Sequence, residues 1–313
     1  MKILVTGGAG YLGSIMVPKL LNEGHEVTVV DSFLYGQTSL LDCCYSDKLK
    51  IIRGDVRDKN LISKNIEDKD ILILLACIVG APACDKRPIE AKTINYDAIK
   101  MILHLRKKKQ KVLYPCTNSG YGIGQKNIYC DEKTPLKPIS LYSRLKVNAE
   151  KEVLKTGNSI SLRLATVFGI SPRMRFDLLV NDFVYRALMD RSITLFEAHF
   201  KRNYVYIGDV ARAFIHCINN FDKLCDQPYN VGLSEANLSK WDLCEEIKKQ
   251  IPKFWFTEYT EEDWAKDPDK RNYIISNKKI EATGYKAKTT LQEGISELIN
   301  GYQIIRRNQY SNL

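Results

Sequence analysis

Residues 2–13 read KILVTGGAGYLG. An apolar run suited to a buried strand ends at Val5, glycines follow at positions 7, 10 and 13, and helical spacing runs from Tyr11 to Glu23. Each glycine has a separate task in this arrangement. Gly7 permits the tight turn out of the strand, Gly10 lets backbone approach a pyrophosphate with no Cβ in the way, and Gly13 lets the helix pack closely on the sheet. The helix N-terminus then offers unpaired N–H groups and a partial positive charge to that pyrophosphate. A glycine triplet alone is a weak signal; a strand before it and a helix after it supply the required context.

Working outward, a second strand, HEVTVVDS, ends on Asp31, eighteen residues beyond Gly13. A carboxylate there accepts hydrogen bonds from adenosine ribose hydroxyls and repels a 2′-phosphate, and no arginine follows at once to welcome that phosphate. NAD is therefore expected over NADP. A third strand, KLKIIRGD, ends at Asp55, and a fourth, DILILLA, runs from Asp70 to Ala76. Strand and helix patterns keep alternating through Val112–Pro115 and Ser159–Leu164. Continuous rather than alternating apolar strands mean burial on both faces, so the expected fold class is α/β: a Rossmann, doubly wound parallel sheet with helices on both faces. The NAD-binding domain is assigned to residues 1–165 and 205–232, where PYNVG reads as a late strand. A smaller, mostly C-terminal substrate lobe takes residues 166–204 and 233–313, with a cleft between the two.

Bulk composition narrows the partners. With 313 residues, 44% hydrophobic and 27% charged, the chain reads as an ordinary globular protein. A net charge of +10 favours an anionic partner: a nucleic acid, a membrane surface or a phosphorylated small molecule. The densest basic run, LRKKKQK at 105–111, closes a helical pattern, where cations suit the negative end of the helix dipole. No aromatic residues interleave it, so no nucleic acid is expected. The nine cysteines form no Cys-x-x-Cys pair and the histidines are only four, so no metal site is expected and a reducing compartment fits. The longest apolar run, Ile71–Val79, is too short to span a bilayer, and the chain opens directly on a strand. The expectation is a cytoplasmic protein with no membrane partner.

ISLYSRLKVNAEKEVL, at 139–154, has helical spacing with Ser140 as N-cap. Tyr142 and Lys146, four apart, fall on one face of that helix. A lysine charge about 5 Å from a phenol contributes roughly 3 kcal/mol at an effective dielectric near 20. That would lower the phenol from its usual value by about two pH units, enough for a general base near neutrality. Thr117, in CTNSGYG directly after the apolar run KVLYP, would place a hydroxyl beside the same substrate oxygen. The three residues make a set for alcohol–ketone chemistry with NAD. A tyrosine and a lysine four apart occur by chance in many helices; the nucleotide site ahead of this pair gives it meaning.

TGGAGYLG, Asp31, Asp55, the hydroxyl four residues before Tyr121-Gly122, and Tyr142-x-x-x-Lys146 together resemble the extended short-chain dehydrogenase/reductases, over nearly the whole chain. The resemblance is closest to the branch acting on nucleotide sugars: epimerases, dehydratases and 4-dehydrogenases. It implies NAD as cofactor and Thr117, Tyr142 and Lys146 as catalytic residues, with Tyr142 and Lys146 also touching the cofactor. Further cofactor positions implied are Gly7, Gly10, Tyr11, Leu12, Gly13, Asp31, Asp55, Val56, Leu75, Ala76 and Asn95. Substrate positions implied are Asn118, Ser119, Arg175, Asn181, Arg202 before NYVYIGD, and Arg271 in DPDKRNYIIS. Arginine suits such a task through bidentate contacts to phosphate. The resemblance also implies a homodimer or homotetramer, joined through helices at 89–106 and 140–155. One departure is Thr166, where many relatives carry a substrate-touching asparagine.

Within that branch, dehydratases carry Asp-Glu directly after the catalytic threonine. Asn118 and Ser119 stand there in this chain, and neither delivers a proton near pH 7. Ser119 also replaces the cysteine used by 3,5-epimerising relatives of the GDP-fucose synthase type. What remains is oxidation at C4, either as a net dehydrogenation or as the first half of a 4-epimerisation; both use the same residues. The resemblance points to a GDP-linked heptose, GDP-D-glycero-α-D-manno-heptose, and to capsule or surface polysaccharide biosynthesis. A redox-sensing binding protein without catalysis is the reading from another class, and the intact Thr117, Tyr142 and Lys146 argue against it.

Overall fold

Runs of Val, Ile and Leu too apolar to face water on either side form the centre of the molecule. The computed structural model describes residues 1–125, 127–259 and 271–307. Seven strands, β1 (Lys2–Thr6), β2 (Glu26–Asp31), β3 (Leu49–Arg53), β4 (Ile71–Leu74), β5 (Lys111–Thr117), β7 (Ser159–Leu164) and β11 (Gln227–Val231), make one sheet. All its pairings are parallel, in the order β11-β7-β5-β4-β1-β2-β3. The order reverses between β1 and β4. The crevice at such a switch point, outside the carboxyl ends of the strands, is where ligands bind in this architecture.

Helices cover both faces. On one side lie α1 (Gly13–Asn22) and α8 (Ile207–Asn219), sharing a core with Val5, Met16, Ile73, Leu162 and Phe214. On the other lie α2 (Lys59–Ile66), α5 (Ala98–Leu105) and α6 (Leu141–Lys155), packed around Leu4, Leu72, Ile102, Val112 and Val153. Between β4 and α5 run α3 (Ala81–Lys86) and α4 (Pro88–Lys92), the latter continuing into α5 through a π-turn at Thr93–Asp97. The expected helix over 89–106 is therefore one rod with a wider turn in its middle.

The second body is built from shorter pieces. β8 (Thr166–Phe168), β10 (Lys201–Tyr206) and β12 (Asn237–Ser239) form a three-stranded sheet, and β9 (Ser192–Leu195) pairs with β13 (Trp255–Glu258). A small pair, β6 (Tyr129–Cys130) with β14 (Ile274–Ile275), sits beside Tyr121 and Tyr273. Helices α7 (Leu179–Met189), α10 (Lys240–Gln250) and α12 (Leu291–Gly301) close a separate core around Phe168, Phe183, Leu243 and Tyr302. Two short helices, α9 (Phe221–Leu224) and α11 (Lys278–Glu281), pack back on the first body, where Ile280 and Tyr285 join the core of the large sheet.

Candidate active site

A single cleft of about 1070 Å³ lies between the carboxyl ends of the large sheet and the second body. That exceeds the 300–1,000 Å³ usual for a site holding one small ligand. Gly7, Gly10, Tyr11, Leu12, Gly13, Asp31, Asp55, Val56, Leu75 and Ala76 all line it.

The glycine loop has the shape expected from its sequence, with one difference. Gly7 adopts φ +71°, and a Cβ there would come within 2.7 Å of the Ala76 backbone. Only glycine escapes both problems. A Cβ on Gly10 would meet just the Gly7 carbonyl, at 3.2 Å, so its remaining surroundings are the open cleft. At Gly13 the clash would be with the Gly8 carbonyl oxygen at 2.4 Å. That glycine lets α1 pack on the loop leaving β1 rather than on the sheet.

Asp31 ends β2 as a buried residue, 7% exposed. Oδ2 accepts from the Ala9 amide at 2.9 Å, and Oδ1 from the Phe33 amide at 2.8 Å and Gln37 Nε2 at 3.2 Å. Burial pushes this carboxyl above its ordinary value, against the lowering effect of those hydrogen bonds. Asp55 is held below its ordinary value by the Arg57 guanidinium, which grips it through Nε and Nη2. Asn95 does not line the cleft. It is buried in the π-turn, accepts from the Ile78 amide at 2.8 Å and donates to the Ile78 carbonyl at 2.8 Å. Its amide thus fixes the loop that follows β4 and forms one wall of the cleft.

Thr117, Tyr142 and Lys146 all line the same cleft. Thr117 ends β5, and its Oγ1 lies 2.9 Å from Ser119 Oγ. Ser140 caps α6 by accepting from the Ser143 amide at 3.2 Å, which sets Tyr142 in the first turn and Lys146 one turn later. Lys146 Nζ sits 4.2 Å from the centroid of the Tyr114 ring. The lowering of Tyr142 expected from Lys146 needs correcting. Burial pushes the Tyr142 phenol well above its ordinary value, Cys77 adds to the rise, and the leading opposing charge is Arg175. Desolvation among the cleft walls outweighs the attraction, even though half-buried Tyr142 lines the cavity.

Arg175 lines the cleft, gripping Asp177 through Nε at 3.1 Å and through Nη2. Arg202 and Arg271 also line it. Asn118, Ser119 and Asn181 do not. Asn118 is fully buried, with neither amide atom bonded among the described residues. Ser119 is spent on Thr117. Asn181 accepts from the Gly169 amide at 3.0 Å and donates to Tyr11 Oη at 3.1 Å and the Arg175 carbonyl at 2.9 Å. It braces the segment carrying Arg175 rather than facing a ligand. Residues that the sequence reading missed include Cys77, Asp177 and Lys240. Lys240 carried a signal: a lysine placed directly after a serine N-cap, where an acidic residue is favoured.

A buried network stands behind the wall. Arg163 on β7 donates to both Glu150 oxygens through Nε at 3.1 Å and to the Tyr121 hydroxyl at 3.0 Å. Tyr121 donates on to Asn230 at 2.8 Å. Glu150 belongs to α6, so the helix bearing Tyr142 and Lys146 is tied to β7, to the Thr117 loop and to β11. Among the described residues no group of His, Cys, Asp and Glu could hold a metal, and no helix is long and apolar enough to cross a membrane.

Residues 3–232 match the model of the NAD dependent epimerase/dehydratase family. The chain belongs to that family. A Methanocaldococcus jannaschii protein that bears the name "Putative UDP-glucose 4-epimerase" is 27% identical over 310 residues, covering 95% of this chain and 97% of its own. UDP-glucuronic acid decarboxylase 1 of Arabidopsis thaliana is 27% identical over 315 residues, 97% of this chain and 70% of its own. Among solved structures, the dTDP-glucose 4,6-dehydratase DesIV of Streptomyces venezuelae, with NAD bound, superposes at a TM-score of 0.86, with 20% identity and 99% of each chain covered. NAD is the cofactor of this member of the epimerase/dehydratase family. The cleft fits it: Gly7, Gly10 and Gly13 line the cavity without side chains, and the Asp31 carboxylate ends the strand beside them.

Proposed function

We propose that this chain oxidises the C4 hydroxyl of a nucleotide-linked sugar to a 4-keto sugar, as an NAD-dependent 4-dehydrogenase. The observation that supports the reading is that Thr117, Tyr142 and Lys146 line the same cleft, with no acid at either position after Thr117. Residues 1–165 and 205–232 would hold the cofactor and residues 166–204 and 233–313 the nucleotide sugar. Gly7, Gly10, Gly13 and Asp31 would hold NAD, which when bound supplies the hydride acceptor and a positively charged ring. Thr117 Oγ1 orients the sugar hydroxyl, Tyr142 Oη takes its proton, and Lys146 holds the cofactor ribose and favours the phenolate. Arg202 and Arg271 suit the diphosphate.

Asn118 and Ser119 support oxidation over dehydration, since neither can protonate a leaving hydroxyl near pH 7. A GDP-linked heptose and a homodimer or homotetramer in the cytoplasm complete the proposal. A 4-epimerase is the second reading, favoured by the name of the Methanocaldococcus relative. The test is the mass of the sugar nucleotide recovered after incubation with enzyme and NAD. Loss of two hydrogens supports dehydrogenation, unchanged mass with inverted C4 means epimerisation, and loss of water rules out both.

A further inference from the structure

Lys240 is 94% buried and still lines the cleft. It is the first residue of α10, directly after the Ser239 cap. The head group is held in place by the β9 end: Nζ donates to the Phe196 carbonyl at 2.8 Å. β9 pairs only with β13 among the described residues, so Thr194, Leu195 and Phe196 present a strand edge to the cleft beside Lys240.

The position of this corner follows from the strand pairing. Lys201 and Arg202 on β10 pair with Ser239 and Leu238 on β12, which places Lys240 next beyond Arg202 on the wall of the second body. A nucleotide sugar is linear: sugar, diphosphate, ribose, base. With the sugar at Tyr142 and Thr117 and the diphosphate at Arg202, the base falls at Lys240, Phe196 and Thr194. This step rests on the nucleotide-sugar reading of the cleft.

We propose that Lys240 reads the nucleobase and selects guanine. An ammonium donates and cannot accept, so it favours a base edge that carries acceptors and disfavours one with an amino group. Guanine offers O6 and N7 side by side, the pair of acceptors that lysine recognises in other settings. Uracil offers a single carbonyl oxygen on its corresponding edge, and adenine and cytosine place an amino group there. The expected order of affinity is GDP, then UDP, then ADP and CDP. Arginine contacts cannot produce this order, because they touch the diphosphate common to all four nucleotides.

The test is calorimetric titration of the NAD-loaded protein with GDP, UDP, ADP and CDP, on the wild type and on Lys240→Met, which keeps the apolar stem. The wild type is expected to bind GDP tightest. The variant is expected to lose about tenfold or more in GDP affinity, with ADP little changed and NAD binding intact. Equal binding of all four by the wild type overturns the assignment, as does a variant that weakens GDP and ADP alike; either leaves the nucleotide-sugar reading standing. If Lys240→Met does not fold, the wild-type order alone decides. Failure of every nucleotide to bind overturns the nucleotide-sugar reading, and the guanine assignment falls with it.

Discussion

The hydroxyls of Thr117 and Ser119 lie 2.9 Å apart, and the Ser119 amide donates to Thr117 Oγ1 at 3.2 Å. Ser119 is 2% exposed and does not line the cleft, whereas Thr117 does. Ser119 therefore serves as a rotamer lock for Thr117, not as a proton donor. Ser119→Ala removes the side-chain half of that lock. A lost hydrogen bond of about 1 kcal/mol would lower kcat roughly fivefold. NAD affinity should stay unchanged, because no cofactor-facing residue moves. Steady-state kinetics with direct NAD titration checks this, and an unaltered kcat would show that Thr117 needs no such restraint.

Tyr142 and Arg175 make a second pair with a measurable consequence. The phenol is raised by burial, and Arg175 is the leading charge that lowers it. Tyr142→Phe should retain NAD and lose turnover by about 10²–10⁴-fold, the range for removing a general base. Arg175→Gln removes a cation that favours the phenolate. The base must be deprotonated to act, so a higher phenol value moves the acid limb of the pH–rate profile toward alkaline pH. The expected result is a deficit at neutral pH that shrinks as pH rises. A profile scaled down uniformly would mean that Arg175 acts on substrate binding alone.

The cofactor half of the site was legible because each requirement is local. A tight turn, a bare loop and a strand-end carboxylate each need one residue type at one spacing, as Gly7, Gly10 and Asp31 show. The substrate half depends on contacts far apart in sequence. Asn181 was expected at the ligand and instead braces Gly169, Tyr11 and Arg175, partners that no spacing rule places beside it. Asn95 is similar: its role at Ile78 exists only because the π-turn brings the helix against the loop after β4. The phenol of Tyr142 was misjudged for another reason. The Tyr-Lys spacing reveals a nearby charge, but burial is a property of the whole fold.

Asp31 tests cofactor choice. Its carboxylate both faces the cleft and fastens Ala9 and Phe33, so a substitution acts on selectivity and on the loop together. Asp31→Asn keeps an acceptor oxygen and removes the charge that repels a 2′-phosphate. The ratio of NAD to NADP affinity should fall by about tenfold or more. Thermal unfolding should also begin earlier, since one of the two anchored amides loses its carboxylate partner. Fluorescence titration with both cofactors decides it; an unchanged ratio would mean that selectivity resides elsewhere in the loop.

Glu150 and Arg163 are 2% and 7% exposed at their side chains, and they hold α6 from behind. Removing one partner of such a pair leaves a buried charge with nothing to oppose it, which costs about 3–5 kcal/mol. Glu150→Ala should lower the urea midpoint accordingly, while Glu150→Gln, which keeps one acceptor oxygen, should lower it less. The stability loss has a functional signature, because α6 carries both Tyr142 and Lys146. With the Glu150 charge and one of its oxygens gone, Arg163 holds α6 more weakly, while its bonds to Tyr121 and the Glu132 carbonyl remain. The anchor common to Thr117 and Tyr142 is then weakened, and kcat should fall more than NAD affinity in Glu150→Gln, under conditions where that variant is fully folded. Equal kcat in wild type and Glu150→Gln, with a lowered midpoint, would confine the network to stability.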